Sequence, residues 1–319
     1  MTDLTVGLLV LWVISALLPV FASKTYRVII FFGVFSLLSA LIYLFLGSPD
    51  VAMAEAGISA FTTVFFIVCV EKYYSSSKNK GVKEKGKKRT FLRYIPAFFF
   101  VFVCLGLTLY FAPSGNAFAE LRDMYLLNFM TDIGGQNAVT SIYLGYRVYD
   151  TLFEALLLVM AVVAVIHLSW YEKTWVADGR HSQIEGSPMA IFTMRVICPI
   201  ILLFGAYLVI NGHLSAGGGF LGGLAFASFL ICRFLVLGIY DLSVEKAIRV
   251  EEYVFIAIII VFIAFFLIMT LFSSEWPPLF QNIYLIIMNG LIGMKVAFGF
   301  FVLFYRYIAI ERLPDKEGE

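Results

Sequence analysis

YVFIAIIIVFIAFFLIMTLF, residues 253–272, carries no charged residue, and the hydroxyls of Tyr253 and Thr270 are its only polar side-chain groups. A helix rises 1.5 Å per residue, so a run of this length spans about 30 Å, the thickness of a bilayer's hydrocarbon core. Eight further runs of similar character flank it, giving nine, with cores near 4–23, 26–46, 51–71, 92–112, 150–171, 190–210, 218–240, 250–272 and 283–306. Whole-chain composition agrees: 61% of the 319 residues are hydrophobic and 14% charged, with a mean hydropathy of +0.92. A soluble protein carries about 25% charged residues because its surface faces water. The expected fold is therefore an all-α membrane protein of about nine transmembrane helices.

Charge decides orientation and excludes several functions. Cationic loops stay in the cytoplasm, and one topology places every Lys and Arg inside except Arg122, Arg147 and the intramembrane Lys295. It puts the N-terminus outside and the C-terminus in the cytoplasm. The first run lacks a basic start and is followed at once by a second span, so it reads as a retained helix rather than a signal peptide. The formal net charge of +1 offers no basic field to nucleic acid, so no nucleic-acid partner is expected. Cys69, Cys104, Cys198 and Cys232 lie scattered in apolar runs without the spacing of a zinc or iron–sulfur site. The chain also lacks GxGxxG, a Walker loop, HExxH and CxxC, so no catalytic centre, metal or resident cofactor is expected.

Two polar seams divide the spans. KNKGVKEKGKKR, 78–89, is a basic cytoplasmic linker, and EKTWVADGRHSQIEGSP, 172–188, is a second break. The expected organisation is a three-helix segment over 1–77, a linker over 78–90, a two-helix segment over 91–185 and a four-helix domain over 186–319.

A charge at mid-bilayer costs about 2.5–3.5 kcal/mol on insertion scales, so each intramembrane charge needs a partner, water or a purpose. Lys295, in NGLIGMKVAFGF, lies too deep to snorkel and requires a carboxylate. It reads either as a relay cation that responds to a moving ion or as half of a static pair. RVYDTLFE spaces Arg147, Asp150 and Glu154 three and then four apart, on one helical stripe. Arg147 and Asp150 interact near the outer surface, leaving Glu154 a turn deeper as a path carboxylate, or Asp150 serves as an N-cap. In GSPDVAMAE, Pro49 and Asp50 suit a helix start, and Glu55 lies a turn and a half further in, for an ion path or an interhelical hydrogen bond. GHLSAGGGFLGG, 212–223, pairs Gly218 with Gly222 and Gly219 with Gly223 at the spacing that admits a close helix neighbour. His213 is a candidate proton group at the outer mouth, and His167 a C-terminal cap.

These segments resemble known families. GSPDVAMAEAGISAFTTVFF is similar to the three-helix D-type membrane protein of membrane-bound hydrogenases, which also forms part of the large Mrp-type antiporter subunit. QNAVTSIYLGYRVYDTLFE resembles the two-helix E-type family of the same hydrogenases, with Gly145 where that pattern has Asp and Val148 and Phe153 where it has Gly. GHLSAGGGFLGG is similar to the four-helix B-type family of Mrp Na+/H+ antiporters, with Ala216 in place of Pro. The resemblance implies a fused, non-catalytic membrane subunit of an Mrp-type cation/proton translocation module in a prokaryotic plasma membrane. It places Asp50, Glu55, Asp150, Glu154, His213 and Lys295 in or near the family's conserved segments, on a path for Na+ or H+. The implied partners are other Mrp-type membrane subunits and the lipid bilayer, with peripheral redox subunits carrying iron–sulfur clusters and a NiFe or other redox centre. The D-like and E-like segments open a short chain, and Asn289 and Lys295 match the hydrogenase-associated version, so a redox-driven complex is expected. The alternatives are a free-standing multisubunit Na+/H+ antiporter and a non-conducting scaffold.

Overall fold

The computed structural model describes residues 2–22, 24–74, 116–168, 188–237, 244–271 and 278–309, with isolated positions between 99 and 106. The described residues are helical and contain no strand. In chain order the helices are α1 (Thr2–Phe21), α2 (Thr25–Phe45), α3 (Pro49–Tyr74), α4 (Asn116–Asp132), a short α5 (Ala138–Ser141), α6 (Val148–Leu168), α7 (Pro188–Asn211), α8 (Gly219–Leu237), α9 (Val244–Leu271) and α10 (Pro278–Ala309). A π-helical turn, Ile142–Tyr146, joins α5 to α6.

Six helices, α2, α3, α6, α7, α9 and α10, are long and apolar enough to cross a membrane, and Gly7–Phe21 and Gly219–Phe234 are shorter apolar helices. Eight of the nine expected spans thus coincide with helices among the described residues. The fourth, 92–112, is described only at the isolated positions between 99 and 106, and the linker 78–89 and residues 172–187 lie outside the described residues. The chain forms two compact units, Met1–Lys72 with Phe129–Glu319, and Tyr73–Asn128. In the second, the described part of α4 carries an exposed Arg122–Asp123 ion pair of 2.9 Å.

The first unit is organised around α10. In an 18-residue stretch of its span 61% of the residues are buried, against 11–22% in the corresponding stretches of the other five long helices, and α6, α7, α8 and α9 all pack on it. Tyr284, Leu285, Met288, Ile292 and Val296 of α10 form one core with Leu144, Val148, Leu224, Val254 and Ile258. Leu285, Met288, Ile292 and Val296 follow the three- and four-residue steps of one helical stripe. Further along, Phe301, Val302 and Phe304 gather Val162, Ile231 and Ala247 into a second core.

Glycine lets α8 come this close. A Cβ on Gly223 would lie 2.6 Å from the carbonyl oxygen of Gly293, and one on Gly219 would collide with the carbonyl of Asn289. Gly222 faces the other way, where a Cβ would lie 2.8 Å from the Gly205 carbonyl of α7. The preceding Gly218 has φ +122°, a conformation reserved in practice for glycine, with the Tyr143 hydroxyl against it. One small-residue stretch therefore wedges α8 between α7 and α10.

Candidate functional site: a buried polar line along α10

At one end, three stretches distant in sequence are tied together by side-chain-to-backbone bonds. Asn137 caps α5, its Oδ1 accepting from the Val139 and Thr140 amides at 2.9 and 3.4 Å. Its Nδ2 donates to Asp50 Oδ1 at 3.0 Å and to the Ser215 and Gly212 carbonyls at 2.9 and 3.3 Å. Asp50 also accepts from the Gly217 amide at 3.0 Å, and Thr140 donates to the Gly212 carbonyl at 2.6 Å. The carbonyl of His213 accepts from the Gln136 and Asn137 amides. The His213 side chain is buried, with Nδ1 3.0 Å from the Ile210 carbonyl. Asp50 and His213 thus come to one place, and the residue that joins them is Asn137.

The π turn shapes the middle of the line. Its wide bond, Arg147 amide to Ile142 carbonyl at 2.8 Å, adds a residue to the turn, and such bulges re-aim side chains at functional sites. Tyr143 Oη donates to Asn289 Oδ1 at 2.8 Å, and the same oxygen accepts from the Gly219 amide at 3.0 Å. Thr151 holds the Tyr143 carbonyl at 2.6 Å, and Tyr284 the Leu144 carbonyl at 2.9 Å. Burial pushes the Tyr143 phenol up to about 12, so it stays a donor at neutral pH. Asn289 and Ser141 are fully buried, yet Asn289 Nδ2 and Ser141 Oγ have no partner among the described residues.

Six residues on, roughly 9 Å along the axis, Lys295 pairs with Glu251 of α9. The two side chains are 1% and 2% exposed, and the Phe255 ring lies 5.1 Å from the ammonium. In a low-dielectric interior such a pair holds only while both members remain charged and close. A proton or cation reaching Glu251 competes with the ammonium for the carboxylate, and that competition is the chemistry the arrangement offers.

The remaining expected residues lie elsewhere. Glu55 accepts from Ser36 of α2, beside a largely apolar pocket of about 340 Å³ between α2 and α3 lined by residues such as Val28, Phe32, Ile58 and Phe66 together with Ser36 and Thr62. Arg147 pairs with Asp150, but it precedes α6 with non-helical φ −118° and ψ 33°, because the π turn ends there; the three residues are not on one helix. Glu154 is exposed on α6. At Gly145, the side chain of Ile133 occupies the place of a Cβ, its Cγ1 only 2.7 Å away, so the turn has no room for a larger residue. His167 is exposed in the last turn of α6. Among the described residues Cys198 and Cys232 are free thiols, and no group of three or more His, Cys, Asp or Glu is placed to hold a metal.

Sequence reasoning misses Glu251 because VEKAIRVEEYVF reads as the charged start of a span. A signal is present: Ala247, Glu251, Val254 and Ile258 recur at helical spacing and are all buried, whereas the neighbouring Glu252 is exposed. Tyr143 and Asn137 are legible only as parts of a longer motif.

A multi-pass membrane protein, helical throughout its described spans, with buried polar groups threaded through its bundle is the class that fold and site define. Residues 189–311 match the family model described as a domain related to the MnhB subunit of Na+/H+ antiporter, and residues 10–74 match MbhD, the family model of the D-type component of MBH. The putative antiporter subunit mnhA2 of Staphylococcus aureus (strain MRSA252) is 26% identical over 170 residues, 53% of this chain and 20% of that protein. Its namesake in Staphylococcus haemolyticus (strain JCSC1435) is 26% identical over 153 residues, 48% and 18% of the two chains. The chain thus spans about a fifth of the length of the curated relatives it matches. In fold it is similar to a chain of the Mrp complex from Dietzia sp. DQ12-45-1b, with TM-score 0.66, 19% identity, and 92% of this chain on 34% of that one. It is also similar to a chain of the membrane-bound sulfane sulfur reductase, an archaeal respiratory membrane complex, with TM-score 0.50, 23% identity, and 79% of this chain on 98% of that one.

Proposed function

We propose that the chain is a membrane subunit of an Mrp-type cation/proton translocation module and that the line from Asp50 through Asn289 to Lys295 and Glu251 forms part of a path for Na+ or H+. The observation that carries this reading is the Lys295–Glu251 pair, two charges withdrawn from lipid and water inside a region that matches an Na+/H+ antiporter subunit family. An ion or proton arriving at Glu251 weakens its hold on Lys295, and the displaced ammonium passes the change along α10. Nine spans in groups of three, two and four, an external N-terminus, a cytoplasmic C-terminus and a prokaryotic plasma membrane complete the reading. So do segments over 1–77, 91–185 and 186–319 joined by a linker at 78–90.

The parent complex is read as redox-driven, with peripheral subunits holding the redox centres. The near-complete coverage of a respiratory-complex chain supports this setting. The staphylococcal antiporter subunits favour the second reading, a free-standing Na+/H+ antiporter. Affinity purification of the tagged chain in mild detergent separates them: co-purifying metalloprotein subunits support the first, and a set consisting only of multi-helix membrane subunits supports the second. Ion flux in vesicles carrying Glu251→Gln with Lys295→Gln tests the path itself, and wild-type flux in that double variant leaves a scaffold.

A further inference from the structure

Within the described spans Glu154, unlike Glu251 and Glu55, has nothing to pair with among the described residues. Glu251 holds Lys295 and Glu55 accepts from Ser36, but Glu154 has neither a hydrogen bond nor an ion pair among the described residues. The one cation close in sequence, Arg147, is taken by Asp150. Glu154 is the seventh residue of the span Val148–His167, about 9 Å in from its start at 1.5 Å per residue. It is nevertheless exposed, beside an outward apolar stripe that includes Phe153 and Leu157, 62% and 65% exposed. Hydrocarbon does not solvate a carboxylate, and the described residues supply no counter-charge to this face.

The geometry points to α6 as a docking face for a transmembrane helix of a different membrane subunit, one that places a Lys or Arg against Glu154 and apolar side chains over Phe153 and Leu157. Charge complementarity selects this occupant: a lipid tail or an apolar helix leaves the carboxylate without a partner. The inference rests on the multisubunit reading above and adds to it the face and the chemistry of contact. It makes Glu154 an element shared between two chains.

The test uses the assembled complex in native membranes. A photo-crosslinking residue at Leu157 is expected to attach to a helix of another subunit within about two turns of a Lys or Arg, identified by mass spectrometry of the joined peptides. Glu154→Lys is expected to lower co-purification of that subunit by about tenfold or more, since it sets like charges together in a desolvated contact. Glu154→Gln, which keeps size, gives an intermediate loss, and reversing the partner's cation to Glu restores assembly with Glu154→Lys. Crosslinks to lipid only, to a second copy or to this same chain overturn the inference while an intact complex leaves the multisubunit reading standing. Unchanged assembly in Glu154→Lys overturns it equally. A chain that purifies with no other membrane protein defeats both.

Discussion

Lys295 with Glu251, and Glu154, are charges in membrane-spanning helices treated in opposite ways. The first two are closed off inside the bundle, 1% and 2% exposed; the third stands on an outer face with no partner among the described residues of its own chain. The difference lies in the helices that carry them. α10 is enclosed by four neighbours, so a charge on its buried stripe must find its complement within the chain, and α9 supplies one. α6 turns its buried stripe, Val148, Ala155 and Val162, toward the core and its other side outward. A buried pair is weak grounds for a stability argument, since burial costs about as much as the attraction returns. The proposed ion path gives this pair a role beyond stability.

The largest expected effect breaks that pair on one side. Lys295→Ala or Glu251→Ala leaves a lone buried charge, which costs about 3–5 kcal/mol, and thermal unfolding of the purified complex should show it as a sharply lowered Tm. Removing both charges together should cost far less, and a double variant no better than the singles would break the account of the pair. Next comes Gly223→Val: side-chain atoms would press on the Gly293 carbonyl, and overpacking of this kind costs about 1–3 kcal/mol. Fluorescence-detected gel filtration should show a diminished monodisperse peak, while the same change at Gly290, where a Cβ meets nothing within 4 Å, should not.

Asn137→Ala removes the cap of α5 and the bridge from Asp50 to the 212–217 turn. Leaving buried carbonyls unanswered costs about 1–3 kcal/mol, and amide exchange around Gly217 should accelerate. The smallest effect is Tyr143→Phe, about 0.5–1.5 kcal/mol for one hydrogen bond, because Gly219 still satisfies Asn289 Oδ1. Tyr143 also predicts a pH response. Its folded-state value, about 12, lies above the ordinary phenol value of 10.0, so its contribution is complete below pH 10 and is lost as pH rises from 10 toward 12. A Tm profile over that range should be flatter in Tyr143→Phe.

Much of the architecture is legible in the sequence because apolar length is a coarse signal: each of eight runs needs only to be long enough, and each is a helix. What escapes is pairing. The sequence shows that Lys295 needs a carboxylate, but of the two adjacent candidates only the rotation of α9 selects Glu251 over Glu252. Asp50 is readable as a helix-start residue, whereas its contacts with Asn137 and Gly217 depend on the approach of segments 87 and 167 residues away. The π turn has no periodic signature at all, and it shifts Arg147 off the stripe that uniform helical spacing gives.

The most direct measurement is ion flux in vesicles reconstituted with the complex carrying Glu251→Gln and Lys295→Gln, with assembly checked by gel filtration. The account predicts an assembled complex whose Na+- or H+-coupled flux has fallen by at least about tenfold, the size of a lost charged interaction of about 1.4 kcal/mol or more. Wild-type flux from that complex would contradict it and leave Lys295 and Glu251 as a fastening between two helices.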